Sequence, residues 1–205
     1  MVIKMNSENC IKSKIDLYEF LNIEKKYYPT NFLDYFLQIS ENAILKKHII
    51  LLRKAEYYTN TDKVFSKKVF YSLLSKHQNK YGIHIPLNSF GKGLHVMHVG
   101  PILVNGRARI GNYCSIHINT AIVAGGTSDG TPVIGNNAII GIGAVVLGNV
   151  VLGNHIAIGA NAVVNKSFPQ DDVTIAGIPA KIIKTTGSTQ WSRKTHSLSE
   201  TKEYK

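Results

Sequence analysis

Cysteine is scarce in this chain: Cys10 and Cys114 are its two, far apart in sequence and with no CxxC spacing. A disulfide framework is therefore not expected, and a reducing, cytoplasmic compartment is. Long apolar runs are missing too. No stretch approaches the roughly 20 residues that a membrane span requires, and Asn6, Ser7, Glu8 and Asn9 do not make a secretory apolar segment. Acidic residues are in short supply, with 13 Asp and Glu against 24 Lys and Arg and a formal charge of +11. Most of the excess sits before residue 81, where 14 basic side chains face 8 acidic ones. The plain reading is a solvated basic face. The functional readings are attraction of a coenzyme's phosphates, of an acidic glycan, or of an anionic membrane surface through peripheral contact. The basic residues follow an ordinary helical pattern and no recognition motif accompanies them, so nucleic acid is not expected as a partner.

What is present divides into three zones. Residues 1–80 read as an α-helical N-terminal region. Ser13 to Tyr28 and Asn31 to Tyr58 carry apolar residues at three- and four-residue spacing, broken at Pro29-Thr30-Asn31. Asn31 is a candidate N-cap, with Asp34 placed to complete a weaker capping box. A further helix opens near Asn60-Thr61-Asp62, and its stripe of Val64, Phe65, Val69, Phe70, Leu73 and Leu74 is expected to be core. Residues 185–205 are polar, with a lone Trp191, and are expected to be a flexible tail.

Residues 81–184 change character. Lysine thins out, and aliphatic residues recur at every sixth position: Ile110, Ile116 and Ile122, then Ile134, Ile140, Val146, Leu152, Ile158 and Val164. Small or short residues follow four places later, among them Cys114, Thr120, Gly126, Ala138, Ala144 and Ala162. A period of six is neither 3.6 nor 2, so it belongs to neither one amphipathic helix nor a plain alternating strand. It fits a triangular parallel β-solenoid in which three hexapeptides make a coil. The aliphatic points into the prism, the small residue fits a corner, and stacked coils share one apolar column.

The run from Ile134-Gly-Asn-Asn-Ala through Val164-Asn-Lys, closed by Gly177-x-Pro179-Ala180-Lys181, resembles the hexapeptide-repeat acyltransferases. That resemblance implies a mainly β fold, a left-handed parallel β-helix with the helical region in front. Within the family, Gly93 to Asn105 looks like the serine acetyltransferase branch. It looks still more like the O-acetyltransferases encoded with capsule, exopolysaccharide and lipopolysaccharide genes, whose His-x-x-G-[IV]-V-[IV]-N pattern is approximated by His98, Ile102, Leu103, Val104 and Asn105. Two departures from serine acetyltransferases stand out. Met97 replaces the aspartate before the histidine, and Asp129-Gly130-Thr131-Pro132 replaces the Asp-Arg-His-Pro loop that helps hold the amino acid carboxylate. The expected reaction is accordingly transfer of acetyl from acetyl-CoA to a hydroxyl of a surface polysaccharide or its sugar precursor. The alternatives are serine O-acetylation, N-acetylation of a nucleotide-linked amino sugar, and a non-catalytic coenzyme-binding scaffold.

O-acetylation needs a base for the hydroxyl, and imidazole titrates in the right range to take that proton and return it to the leaving thiolate. The resemblance places this role on His98, with His117 as the secondary candidate. Counting back by sixes from Ile110 puts His98 in the inward phase, so the register must break near Pro101 or the ring lies inside. His95 is a further rival; His84 and His155 are expected at turns or on the surface. The acceptor that orients the base is unassigned, a backbone carbonyl and Asp129 being the candidates. Backbone N–H groups near Gly125 and Gly126 are candidates for the oxyanion. For the coenzyme the resemblance implies Gly143 and Ala144 along the pantetheine arm, Ala162, Asn165 and Lys166 on a later coil, and Lys181 at a phosphate. It also implies a homotrimer, acetyl-CoA as co-substrate without a tightly bound cofactor, and no metal. A zinc carbonic anhydrase can use a related solenoid, but the five histidines between 84 and 155 lack its spacing.

Overall fold

The structure is a computed structural model that describes residues 10–126 and 129–190. Four α-helices come first: α1 (Lys14–Glu24), α2 (Phe32–Leu37), α3 (Glu41–Asn60) and α4 (Val64–Tyr81). Ser13 starts α1 with a capping box, its hydroxyl accepting from Asp16 N–H while the Asp16 carboxylate accepts from Ser13 N–H. Asn31 caps α2 as the sequence suggests, accepting from Asp34 N–H at 2.8 Å. The Asp34 carboxylate does not close a capping box, however. It takes the hydroxyl of Thr30 and both the N–H and hydroxyl of Ser40. That clamp, with Gln38 in the left-handed region at φ 52°, splits the helix expected over Asn31–Tyr58 into α2 and α3. The stripe expected as core on α4 also reads differently. Leu74 is buried, whereas Val64, Phe65, Val69 and Leu73 face solvent.

The chain then winds into a three-sided prism. One face stacks β1 (Ile83–His84), β3 (Ile102–Val104), β6 (Thr120–Val123), β9 (Val145–Leu147) and β12 (Val163–Val164). A second stacks β4 (Arg109–Ile110), β7 (Val133–Ile134) and β10 (Val151–Leu152). The third stacks β2 (His95–Val96), β5 (Ser115–Ile116), β8 (Ile139–Ile140), β11 (Ala157–Ile158) and β13 (Thr174–Gly177), all parallel, and β14 (Ala180–Lys184) folds back antiparallel on β13.

The six-residue period sets this register. Ile134 pairs with Leu152, Ile140 with Ile158 and Val146 with Val164, each three hexapeptides further on. All nine phased aliphatics are buried, and each contributes roughly 1.5–3 kcal/mol by leaving water. Ala108, Cys114, Ala138, Ala144 and Ala162 fill the corners beneath them. Gly126 departs from the pattern: it is exposed on the loop between β6 and β7, where the repeat is interrupted. A column of side-chain amides ties one corner together. Asn112, Asn136 and Asn154 each offer Oδ1 to the N–H on the preceding coil at 2.8–3.0 Å, and Asp171 ends the series.

The helical region covers the open edge of the first coil, which would otherwise present unpaired backbone groups. Glu24 accepts from Leu94 N–H, and the Tyr28 hydroxyl both accepts from Val96 N–H and donates to Val96 C=O. Arg53 is fully buried and donates to Glu24, Glu56 and the carbonyls of Phe90 and Gly91. Burial opposes that charge, but the two carboxylates hold the guanidinium protonated. Apolar packing is continuous from Leu45, Ile49 and Leu52 on α3 into the prism. At the far end Ser188 is buried, its N–H donating to His155 C=O and its hydroxyl to Asn137 C=O. Trp191 and the rest of the expected tail lie outside the described residues.

Candidate active site

Val96 on β2 pairs with Ile116, and Val104 on β3 pairs with Ile122. Between these partners the first coil carries two residues more than the second. The register therefore breaks before Pro101, and His98 leaves the inward phase. Its side chain is 53% exposed, which disposes of the alternative in which the ring is stacked inside the prism. His117 follows β5 on the next coil at the same corner, half-buried, with its ring centroid 5.9 Å from that of His98. Burial, and then the neighbouring His98, push its imidazole below the ordinary range.

His95 has a different environment. Its ring stacks on Tyr27 with centroids 4.4 Å apart, its Nδ1 has no hydrogen-bond partner among the described residues, and burial with the nearby His117 and His98 pushes it down to about 4. An imidazole held neutral and covered by a tyrosine is poorly placed to collect a proton from a substrate. His155 sits at a corner on the opposite side of the third face, with Nδ1 3.3 Å from Asp172 Oδ1.

The acceptor beside His98 is neither Asp129 nor a backbone carbonyl. Glu41, the first residue of α3, places Oε2 3.2 Å from His98 Nδ1 and accepts the N–H of Val99 at Oε1, 2.6 Å away. Nothing in the sequence connects positions 41 and 98; they meet because α3 lies over the edge of the first coil. With Nδ1 occupied by a carboxylate, Nε2 is the nitrogen left to meet a substrate. Among the described residues, no group of three or more His, Cys, Asp or Glu is arranged to hold a metal ion.

The coenzyme candidates distribute along and beyond this corner. Gly143 lies one coil below His117, its N–H donating to Ile118 C=O. Its φ is +71°, and a Cβ there would stand 2.0 Å from Asn161 Oδ1, so a side chain at this bend would be strained and would displace the Asn161 amide. Ala144 and Ala162 are fully buried, and their N–H groups donate to Gly141 and Gly159. What they offer a ligand is absence of bulk rather than hydrogen bonds. Asn165 and Lys166 are exposed past β12, with Lys166 Nζ 5.5 Å from the Phe168 ring centroid. Lys181 is exposed on β14. The loop residue Gly130 is also constrained: a Cβ at that position would meet the Asn149 side chain at 2.2 Å. A side chain at position 130 would therefore have to displace Asn149.

Residues 131–166 match the family model described as bacterial transferase hexapeptide (six repeats). Serine acetyltransferase from Synechococcus elongatus is 34% identical over 109 residues, 52% of this chain and 44% of that protein. Serine acetyltransferase from Buchnera aphidicola subsp. Schizaphis graminum is 38% identical over 104 residues, covering 48% and 39% respectively. The chain thus spans less than half the length of these curated relatives. Among solved structures, serine acetyltransferase from Brucella abortus aligns with a TM-score of 0.66 at 26% identity, over 85% of this chain and 72% of that one. The same enzyme in complex with coenzyme A gives 0.64 at 27%, over 85% and 70%.

Over residues 131–166 the chain carries the bacterial transferase hexapeptide repeat, and over about half its length it is similar to serine acetyltransferases. Its prism is the left-handed parallel β-helix expected from the repeat, with helices in front. The expected closeness to capsule and exopolysaccharide enzymes is corrected here. Both curated relatives, and the solved structures above, are serine acetyltransferases, which overturns the reading of this chain as one acting on a surface polysaccharide. The missing cations of the 129–132 loop are a local departure and do not outweigh a likeness extending over 85% of the chain. No helix among the described residues is long and apolar enough to cross a membrane.

Proposed function

We propose that this protein is an acetyl-CoA-dependent serine O-acetyltransferase, with His98 as general base. The observation that carries it is an imidazole turned outward by a break in the register, at the corner that continues into the Gly143 bend, in a chain whose relatives bear that name. His98 Nε2 takes the proton of the serine hydroxyl as its oxygen attacks the thioester carbonyl. The new C–O bond forms, the C–S bond breaks, and the proton passes from the imidazolium to the coenzyme's thiolate. Holding both substrates along one corner supplies rate through proximity. His117 lines the site, and Lys181, Asn165 and Lys166 are the side chains available to the coenzyme's polar groups. A homotrimer remains part of this proposal, as a closed threefold ring is a sound assembly for a prism.

The test is release of coenzyme thiol from acetyl-CoA with L-serine and with serinamide as acceptors. His98→Ala is expected to lower kcat about 10²–10⁴-fold. Because residues 129–132 supply no cation for a carboxylate, the two acceptors should differ by less than about tenfold, the low end for one charged hydrogen bond. Full activity in His98→Ala would end the assignment of the base. Binding of coenzyme with no acetylated acceptor would favour a non-catalytic scaffold.

A further inference from the structure

The helical region does more at this edge than shield it. We infer that Glu41 is the positioning residue of the catalytic base, a carboxylate supplied by α3 that fixes which nitrogen of His98 carries the proton. This rests on the reading of His98 as the base.

Three observations support it. First, both carboxylate oxygens are engaged by consecutive residues of the coil, Oε2 at His98 Nδ1 and Oε1 at Val99 N–H. The carboxylate is thereby held by a fixed backbone donor and cannot swing freely away from the ring. Second, Glu41 opens α3, where helix N–H groups favour a negative charge. The position is braced: Ser40 caps the helix by accepting from Ala43 N–H, and Asp34 grips Ser40 through its N–H and hydroxyl. Third, the contact has little to offer stability. The two side chains are 53% and 46% exposed, and exposed pairs of this kind add little to folding. A braced carboxylate that contributes little to stability is explained by what it does to the imidazole.

The mechanism is a tautomer selection. A carboxylate accepts and does not donate, so His98 Nδ1 must carry the hydrogen, and Nε2 presents its lone pair to the acceptor hydroxyl. When Nε2 takes the serine proton, the resulting imidazolium sits against the negative charge of Glu41. It is discharged when the proton moves to the thiolate, so Glu41 itself neither gains nor loses one. Asp129 has no part in this. The charged and titratable groups that face His98 among the described residues are Glu41 from α3, His117 beyond β5 and His95 on β2.

Glu41→Gln separates this role from simple edge satisfaction. The amide oxygen can still accept from Val99 N–H, but the amide nitrogen is a donor and favours the wrong tautomer. Side-chain nitrogen NMR, with His98 assigned by its loss in His98→Ala, should show Nδ1 protonated and Nε2 bare in the wild type, and the reverse in Glu41→Gln. In thiol release, Glu41→Gln should lower kcat about 10–100-fold with KM for acetyl-CoA within about twofold. Wild-type His98 protonated on Nε2 would overturn the proposal whether or not an acceptor is known. So would a Glu41→Gln enzyme with unaltered kcat beside an inactive His98→Ala. Activity retained in His98→Ala is a separate outcome, which removes the base and with it any role for Glu41 in catalysis.

Discussion

The prism and the helices solve the same problem, burying a chain's interior, by different means. The prism uses one rule repeated. An aliphatic points inward on each edge, a small residue fills each corner, and an asparagine column satisfies the backbone at one bend. The helical region uses pairs that occur once. Arg53 is shared between Glu24, Glu56 and two carbonyls of the first coil, and His48 Nδ1 lies 3.4 Å from His77 Nδ1 in the helical core. A repeated rule makes a fold robust and its parts interchangeable. Single pairs make specific joints, and here the joint includes the residue that meets the candidate base. The sharpest way to break this contrast is Arg53→Ala. Two buried carboxylates would lose their cation, and the expected loss is about 3–5 kcal/mol in chemical denaturation. Arg53→Met should cost clearly less when made together with Glu24→Leu and Glu56→Leu. An Arg53→Ala loss under about 1 kcal/mol would show that the junction does not depend on this pair.

The same contrast explains what could be read in advance. The nine phased aliphatics identify the solenoid because each edge repeats the chemistry of the last, and a six-residue period has few other structural meanings. The first coil is the exception. Counting by sixes puts His98 inside, but two extra residues before Val104 turn it out, and no local motif marks that break. In the helices, amphipathic spacing finds the segments and misses their faces. Val64, Phe65, Val69 and Leu73 look like a core stripe and are exposed, while polar Glu24, His48 and Arg53 are fully buried. Glu41 was out of reach for a related reason. Its partner is 57 residues away, and only the docking of α3 on the coil edge brings them together.

Acid should also discriminate between the two regions. Burial first, then neighbouring His77, hold His48 down to about 3, and burial holds His77 down to about 4. These groups stay neutral in the folded state and would charge near 6.5 once unfolded. The unfolded chain therefore binds more protons below that point. Their contribution to stability is complete above about pH 6.5 and is lost as pH falls toward 4. In the prism, Cys114 is pushed up to about 12 by burial and stays a thiol throughout. Between pH 7 and pH 5, His48→Leu should lose roughly 1–2 kcal/mol less than the wild type. Equal losses for the two proteins would mean that the buried pair does not set the acid response.

The smallest expected effect tests whether the prism's repetition makes it tolerant. In Asn136→Ala, Asn112 N–H loses its acceptor at 2.8 Å, at a bend close enough to solvent that water can replace part of the bond. The expected cost is about 0.5–1 kcal/mol, read as a small shift in denaturation midpoint. Asn136→Asp keeps the acceptor oxygen, as Asp171 already does for Asn154, and should cost less than alanine. Because each coil touches only its neighbours, amide exchange should quicken at Asn112 and the adjoining bend while the α3 amides keep their wild-type protection. Quickened exchange in α3 would mean that the bend and the helices open as one unit, and that the division between repeated and unique parts does not extend to how the molecule unfolds.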